Sequence, residues 1–179
     1  MKHPDEPDKF MESEIELHQE IQELFVVADS PELYPILVQT SSMNSLLGMI
    51  THENTDISLS TVSLFVEIFD TDNLTPPPDD TDDEQQYRTI LQGILQLLDN
   101  FLSLQGLELV TQNLTRLNEE ESEEDAQGVA NTLNLIENLL EYKPTIAVTV
   151  CKDTIFLEYL LKRVNKAEMD DNKFLASEV

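Results

Sequence analysis

The stretch Gly128-Val129-Ala130-Asn131-Thr132-Leu133-Asn134-Leu135-Ile136-Glu137-Asn138-Leu139-Leu140-Glu141 decides how the chain is read. At about 100° per residue, Val129, Leu133, Ile136 and Leu140 fall on one side of a helix, and Leu135 and Leu139 widen that apolar arc. Asn131, Asn134, Asn138 and Glu141 fall together on the other side. Solvated helix faces are usually built from Glu and Lys, and Asn is a mediocre helix former. A row of asparagines therefore points to recognition: each amide offers both a donor and an acceptor, which suits holding an extended peptide backbone.

Working outward, the same pattern returns earlier in the chain. Val62-Ser63-Leu64-Phe65-Val66-Glu67-Ile68-Phe69-Asp70 matches the run from Leu133 to Glu141. Each run follows a shorter apolar segment and an acidic turn, Leu46-Leu47-x-x-Ile50 in one case and Leu109-x-x-x-x-Leu114 in the other. A third copy begins at Leu157-x-x-Leu160-Leu161, runs to Asn172, and reaches Ser177-Glu178-Val179 where its long helix should start. A short, a medium and a long helix per unit is the armadillo order, in which long third helices line a concave groove and neighbours stack to bury their apolar faces. The expected fold is all-α: an armadillo-like helical repeat forming a right-handed α-solenoid, with about two complete repeats and part of a third. In this register Ser60, Ser63, Glu67 and Asp70 match Asn131, Asn134, Asn138 and Glu141 in turn. These eight are the candidate peptide-groove residues. Amides to hold a backbone and carboxylates to meet Lys or Arg suit a basic extended peptide.

The remaining segments read as follows. Residues 1–9, with Pro4 and Pro7, form a flexible lead-in, and 10–179 form the repeat region. Glu12–Ala28 is one helix with Ile15, Leu17, Ile21, Leu24 and Phe25 on its apolar side. Ser30-Pro31 starts a short helix carrying Leu33, Ile36 and Leu37. Ser42 caps the helix Met43–Ile50, and Asp56–Asp70 is the first long helix. Three prolines and an aspartate run make 72–83 a mobile acidic loop, and the acids of 118–125 make a second one. Helices are expected over 84–102, 107–117, 144–152 and 154–165, and another from Asn172 onward. No stretch sustains strand alternation.

The chain has 179 residues, 40% of them apolar, which is enough for a packed core. Against that ordinary composition stand 36 acidic and 10 basic residues, a net charge of −26. Such a chain does not bind nucleic acid through phosphates. Its natural partner is a basic protein segment, steered by opposite potential. Six of the basic residues lie from Lys143 onward, so the earlier part is the more negative. Cys151 is alone, no leader peptide stands at the start, and no run is apolar enough for a membrane span; the expected setting is intracellular.

Catalytic signals are missing. His3, His18 and His52 have no ligand spacing to Cys151, and Gly48, Gly93, Gly106 and Gly128 make no phosphate loop. Asp70-x-Asp72 begins like a calcium loop, but Leu74 and Thr75 stand where a ligand and a glycine are needed. No enzyme activity, cofactor or metal is expected.

Several blocks resemble one family. Phe10-Met11-Glu12-Ser13-Glu14-Ile15-Glu16-Leu17, Asn54-Thr55-Asp56, Gln112-Asn113-Leu114-x-Arg116-Leu117 and Gly128-Val129-x-Asn131-Thr132-Leu133 closely resemble the beta-catenin-like protein 1 family, in order and over nearly the whole chain. The resemblance implies an armadillo-like, nuclear protein associated with pre-mRNA splicing that binds basic, nuclear-localisation-type segments of splicing partners. It also implies an N-terminal portion of a longer array. The alternative is a capping or oligomerisation segment without a ligand of its own, with Phe25, Val26 and Val27 covering an open end or pairing with a second copy.

Overall fold

The computed structural model describes residues 8–74 and 83–179. The lead-in expected over 1–9 lies, for residues 1–7, outside the described residues, as does 75–82 of the loop expected over 72–83.

All regular structure among the described residues is helical. In chain order the α-helices are α1 (Asp8–Glu23), α2 (Phe25–Ala28), α3 (Tyr34–Gln39), α4 (Ser42–Ile50), α5 (Thr55–Ile68), α6 (Asp83–Ser103), α7 (Gly106–Asn113), α8 (Glu123–Tyr142), α9 (Ala147–Asp153), α10 (Phe156–Val164) and α11 (Asp171–Glu178). Short 3₁₀ turns lead into α3 and α9 and follow α5 and α7. The three-helix units are α3–α4–α5, α6–α7–α8 and α9–α10–α11. Their third members stack side by side, α5 on α8 and α8 on α11, and α1 takes the preceding place against α5. The first and second helices of the units form the second layer, with α3 on α6 and α4 on α7; α6, at 21 residues, is as long as the helices of the first layer.

The repeat is written into the burial pattern. Ile57, Ser58, Thr61, Val62, Leu64, Phe65 and Ile68 are buried in α5; their counterparts Gly128, Val129, Thr132, Leu133, Leu135, Ile136 and Leu139 are buried in α8. Even the polar pair is treated alike: Thr61 and Thr132 each donate to the carbonyl one turn back, Ile57 O at 2.7 Å and Gly128 O at 2.9 Å, so neither hydroxyl is stranded. Between the units, Phe101 of α6 meets Phe65 and Phe69 of α5 edge-on, with centroids 5.3 and 5.8 Å apart. Each such pair contributes roughly 1 kcal/mol beyond area burial.

The joints also repeat. Ser41 before α4 and Gln105 before α7 both adopt left-handed backbone, with φ of 58° and 61°. This corrects the assignment of Ser42 as the cap of α4. The chain turns at Ser41, no side chain caps the helix, and Ser42 Oγ lies 2.7 Å from Thr40 Oγ1. Ser30 likewise makes no side-chain cap, although Pro31 does open the 3₁₀ turn. Gly106 is needed for close approach, since a Cβ there would overlap the Phe101 ring.

Three apolar assignments change. Ile15 is half exposed, at 51%, rather than part of the core. Leu33 and Ile36 are exposed, while Tyr34 and Leu37 turn inward. Tyr34 goes inside because its hydroxyl is satisfied there, donating to Ala28 O at 2.9 Å and Ile68 O at 3.1 Å. The expected Glu12–Ala28 helix breaks at Leu24, where bonding tightens to i+3 (Val27 N–H to Leu24 O, 2.9 Å) and turns α2 onto α5.

Candidate functional site

The first turns of α5 and α8 carry acids for a local reason. Asn54 caps α5, accepting the Asp56 N–H at 3.0 Å, and Ser122 caps α8, accepting the Asp125 N–H at 3.1 Å. Asp56, Glu123 and Glu124 follow in those first turns, where the helix macrodipole favours negative charge. The Glu124 carboxyl is held below its usual range by its own backbone N–H and by the Ser122 hydroxyl.

Because α5 and α8 lie side by side and α1 flanks α5, these acids converge on a cleft of about 950 Å³. Helix α1 adds Glu14, His18 and Gln22 on one i, i+4 stripe and Met11, Ile15 and Gln19 on the next. The base is apolar at Leu59 and close-packed at Gly128, where a Cβ would overlap the Leu59 side chain. Polar contacts tie the walls together. Asn54 Nδ2 donates to Glu14 Oε2 at 3.0 Å, and Ser60 Oγ lies 3.3 Å from His18 Nδ1 and accepts from Gln22 Nε2 at 3.5 Å. Gln127 Nε2 donates to Asn131 Oδ1 at 2.9 Å. Among the described residues, four carboxylates line the cleft and no Lys or Arg does.

A second cleft, about 670 Å³, lies on the other side of α8 against α10 and α11. It is also rich in acid, but Glu119, Glu120 and Asp170 among its acids are paired. Arg163 is buried, with its Nε 3.0 Å from Glu119 and its Nη2 on Asp170. Lys166 reaches Glu119 at 3.3 Å and Glu120 at 3.1 Å. Asn172 Nδ2 donates to Glu119 at 3.1 Å and to Ala126 O at 2.9 Å. Burial works to raise the Asp170 carboxyl, but the Lys173 N–H and the Arg163 guanidinium outweigh it and hold the group below the usual carboxylate range. The Lys166 ammonium is raised, chiefly by its bond to Glu120. The run 118–125, read as a mobile acidic loop, is therefore tied at Glu119 and Glu120 and also at Asn118, whose N–H donates to Asp125 at 2.7 Å. What ties Glu119 comes from some 44 to 53 positions later in the chain.

The eight groove candidates divide along the helix axes. Ser60, Ser63 and Asn131 line the first cleft, and Asn134 lines the second. Glu67, Asp70, Asn138 and Glu141, at the far ends of α5 and α8, line neither. Asp70 instead holds the chain end of α5 in place. Its Oδ1 accepts the Asp72 N–H at 2.9 Å, and its carbonyl accepts the Tyr142 hydroxyl at 3.2 Å. That phenol is pushed up to about 12 by burial and by the Asp70 charge.

The sequence profile of the family described as "Catenin-beta-like, Arm-motif containing nuclear" matches residues 1–179. The chain belongs to the catenin-beta-like family. Beta-catenin-like protein 1 of Rattus norvegicus is 41% identical over 180 residues, that of Homo sapiens 40%, and the homolog of Schizosaccharomyces pombe 30% over 181. Each alignment covers all of this chain and 29% of the relative, so the chain spans under a third of those proteins. The Arm motif of the family agrees with the three-helix units, and its description names no catalytic activity.

In this catenin-beta-like chain, sequence reasoning missed Glu14, His18, Gln22, Glu124 and Gln127 as cleft residues. The stripe Glu14-His18-Gln22 was a usable signal, since one polar face on an otherwise core-forming helix marks a side turned to something other than the core. Among the described residues no cluster of His, Cys, Asp or Glu could hold a metal ion, and no helix is long and apolar enough to cross a membrane.

Proposed function

We propose that this segment is a protein-interaction module that binds a basic, extended segment of a partner protein in the cleft between α1, α5 and α8. The observation that supports this reading is the charge of the lining: Glu14, Asp56, Glu123 and Glu124 without a Lys or Arg among the lining residues. The positive ends of α5 and α8 count against a basic ligand by about half a charge each. Four carboxylates outweigh that. Asn131, Gln127, Gln19 and Gln22 supply amides for the ligand backbone. In keeping with the family resemblance, the partners are nuclear-localisation-type segments of splicing proteins, and the setting is the nucleus. The competing reading, a cap or self-association segment, draws on exposed Val148, Leu157 and Leu161 at the last repeat.

Fluorescence anisotropy with a labelled Lys/Arg-rich peptide tests the reading. Binding should weaken as salt rises from about 0.05 to 0.3 M, because the Debye length shortens about 2.5-fold. Glu14→Lys with Glu124→Lys should weaken it further, whereas Glu141→Lys, outside the cleft, should matter little. Equal loss from all three reversals would leave only a diffuse field effect and remove the cleft from the account. Light scattering showing a dimer that no longer takes peptide would favour self-association.

A further inference from the structure

The cleft is not uniformly polar, and its apolar part is out of place for a purely electrostatic site. Met11 is 57% and Ile15 is 51% exposed, one turn apart on the cleft side of α1. Leu59 of α5, only half-buried, lines the same cleft, and Phe25 lines it further along, past the end of α1. Among the described residues, none packs over Met11 and Ile15 closely enough to bury them. The core side of α1 is served by Ile21, Leu17 and Leu24, and a solvated outer face would carry charge as Glu12 and Glu16 do. Around Met11, Ile15 and Leu59 stand Glu14 on α1, Asp56 on α5, and Glu123 and Glu124 on α8, so the acids flank this apolar strip on three elements.

We infer that the cleft recognises a segment in which one bulky aliphatic side chain is flanked by Lys or Arg, the aliphatic group seating on Met11 and Ile15 against Leu59. This rests on the reading that the cleft binds basic segments, and it names which of them. Charge complementarity decides the flanks, since an apolar segment without cations would leave four carboxylates facing a low-dielectric contact with no counter-charge. Apolar area decides the centre, since a run of Lys and Arg alone would leave Met11 and Ile15 in water. Methionine adapts to aliphatic groups of different shape, so Leu, Ile and Met should be accepted alike. The long-range charge brings the segment in; the aliphatic contact sets how long it stays.

The experiment compares three labelled peptides on the whole chain: Lys/Arg pairs around a central Leu, the same peptide with that Leu→Ala, and a Leu peptide with its cations replaced by Gln. The first should bind, the second about tenfold more weakly, and the third not measurably. Ile15→Ser and Met11→Ser, both at exposed positions that leave the core intact, should each cost the Leu peptide roughly threefold and the Ala peptide nothing. Equal affinity of the Leu and Ala peptides overturns the inference and leaves the basic-segment reading standing. Failure of every basic peptide overturns that reading itself. A Leu preference that survives both α1 substitutions overturns the placement of the aliphatic group on this strip.

Discussion

Two regions of this molecule are built from the same raw material and end in opposite states. The cleft at α1, α5 and α8 and the cleft at α8, α10 and α11 share Glu123 and Gln127, and both carry several acids and amides on their walls. In the second, Arg163 and Lys166 arrive on the last repeat and close on Glu119, Glu120 and Asp170. In the first, no Lys or Arg among the described residues lines the walls. Acid density alone therefore does not mark a binding surface. The distinguishing feature is whether the fold itself supplies the counter-charge. Where it does, the acids hold the structure together; where it does not, a partner can.

The largest effect that would test this contrast is on stability. Arg163→Ala removes a buried guanidinium that engages two carboxylates and leaves Glu119, with a side chain only 14% exposed, to Lys166 alone among the cations. Breaking such a pair costs about 3 kcal/mol or more, which thermal or denaturant unfolding would detect, whereas Glu14→Gln in the first cleft should change stability by less than about 0.5 kcal/mol. Similar losses from both would break the distinction between paired and unpaired acids. Next comes binding. Turning Glu14 and Glu124 to Lys exchanges two attractions for repulsions and should weaken a basic peptide about tenfold, while Glu120→Lys should change affinity little because that acid is already paired with Lys166.

A smaller effect follows from acid. The Asp170 carboxyl is lowered in the folded state, so the unfolded chain takes up the proton first as pH falls. Its stabilising contribution is present at neutral pH and is lost as pH drops through and below the ordinary carboxylate range. Asp170→Asn should flatten that part of a pH–stability curve. The smallest effect lies at the opposite end of pH and of the long helices. Tyr142, pushed up to about 12, holds its proton in the folded state while the unfolded phenol ionises near 10, so stability should fall as pH rises past about 10, and Tyr142→Phe should reduce that fall.

The stacked repeat was legible because it is written in local spacing. The offset that matches Ser60 to Asn131 also matches Thr61 to Thr132 and Val62 to Leu133, and burial follows it position by position. What spacing could not show was where other elements lie along the matched helices. The alignment makes Asp70 and Glu141 equivalents of Ser60 and Asn131 in face, yet they sit at the far ends, with Asp70 occupied by its own turn and by Tyr142. The half of the row that faces the first cleft is chosen by α1, and α1 matches no part of the repeat. The pairing of Glu119 with Arg163 spans 44 positions and obeys no local rule, so the 118–125 run read as solvated charge. Exposure of Ile15 was hidden for a related reason: an apolar residue near a core-facing stripe looks like part of it until the neighbour is placed.

The most direct test is an NMR titration of the isotope-labelled chain with a Lys/Arg-flanked aliphatic peptide. Shifts concentrated at Glu14, His18, Asn54, Ser60, Gln127 and Asn131, with the Glu119–Arg163–Asp170 group unmoved, are the predicted result. Shifts centred on Glu119 and Arg163, or running along Glu67, Asn138 and Glu141 with the α1 stripe silent, would contradict the account.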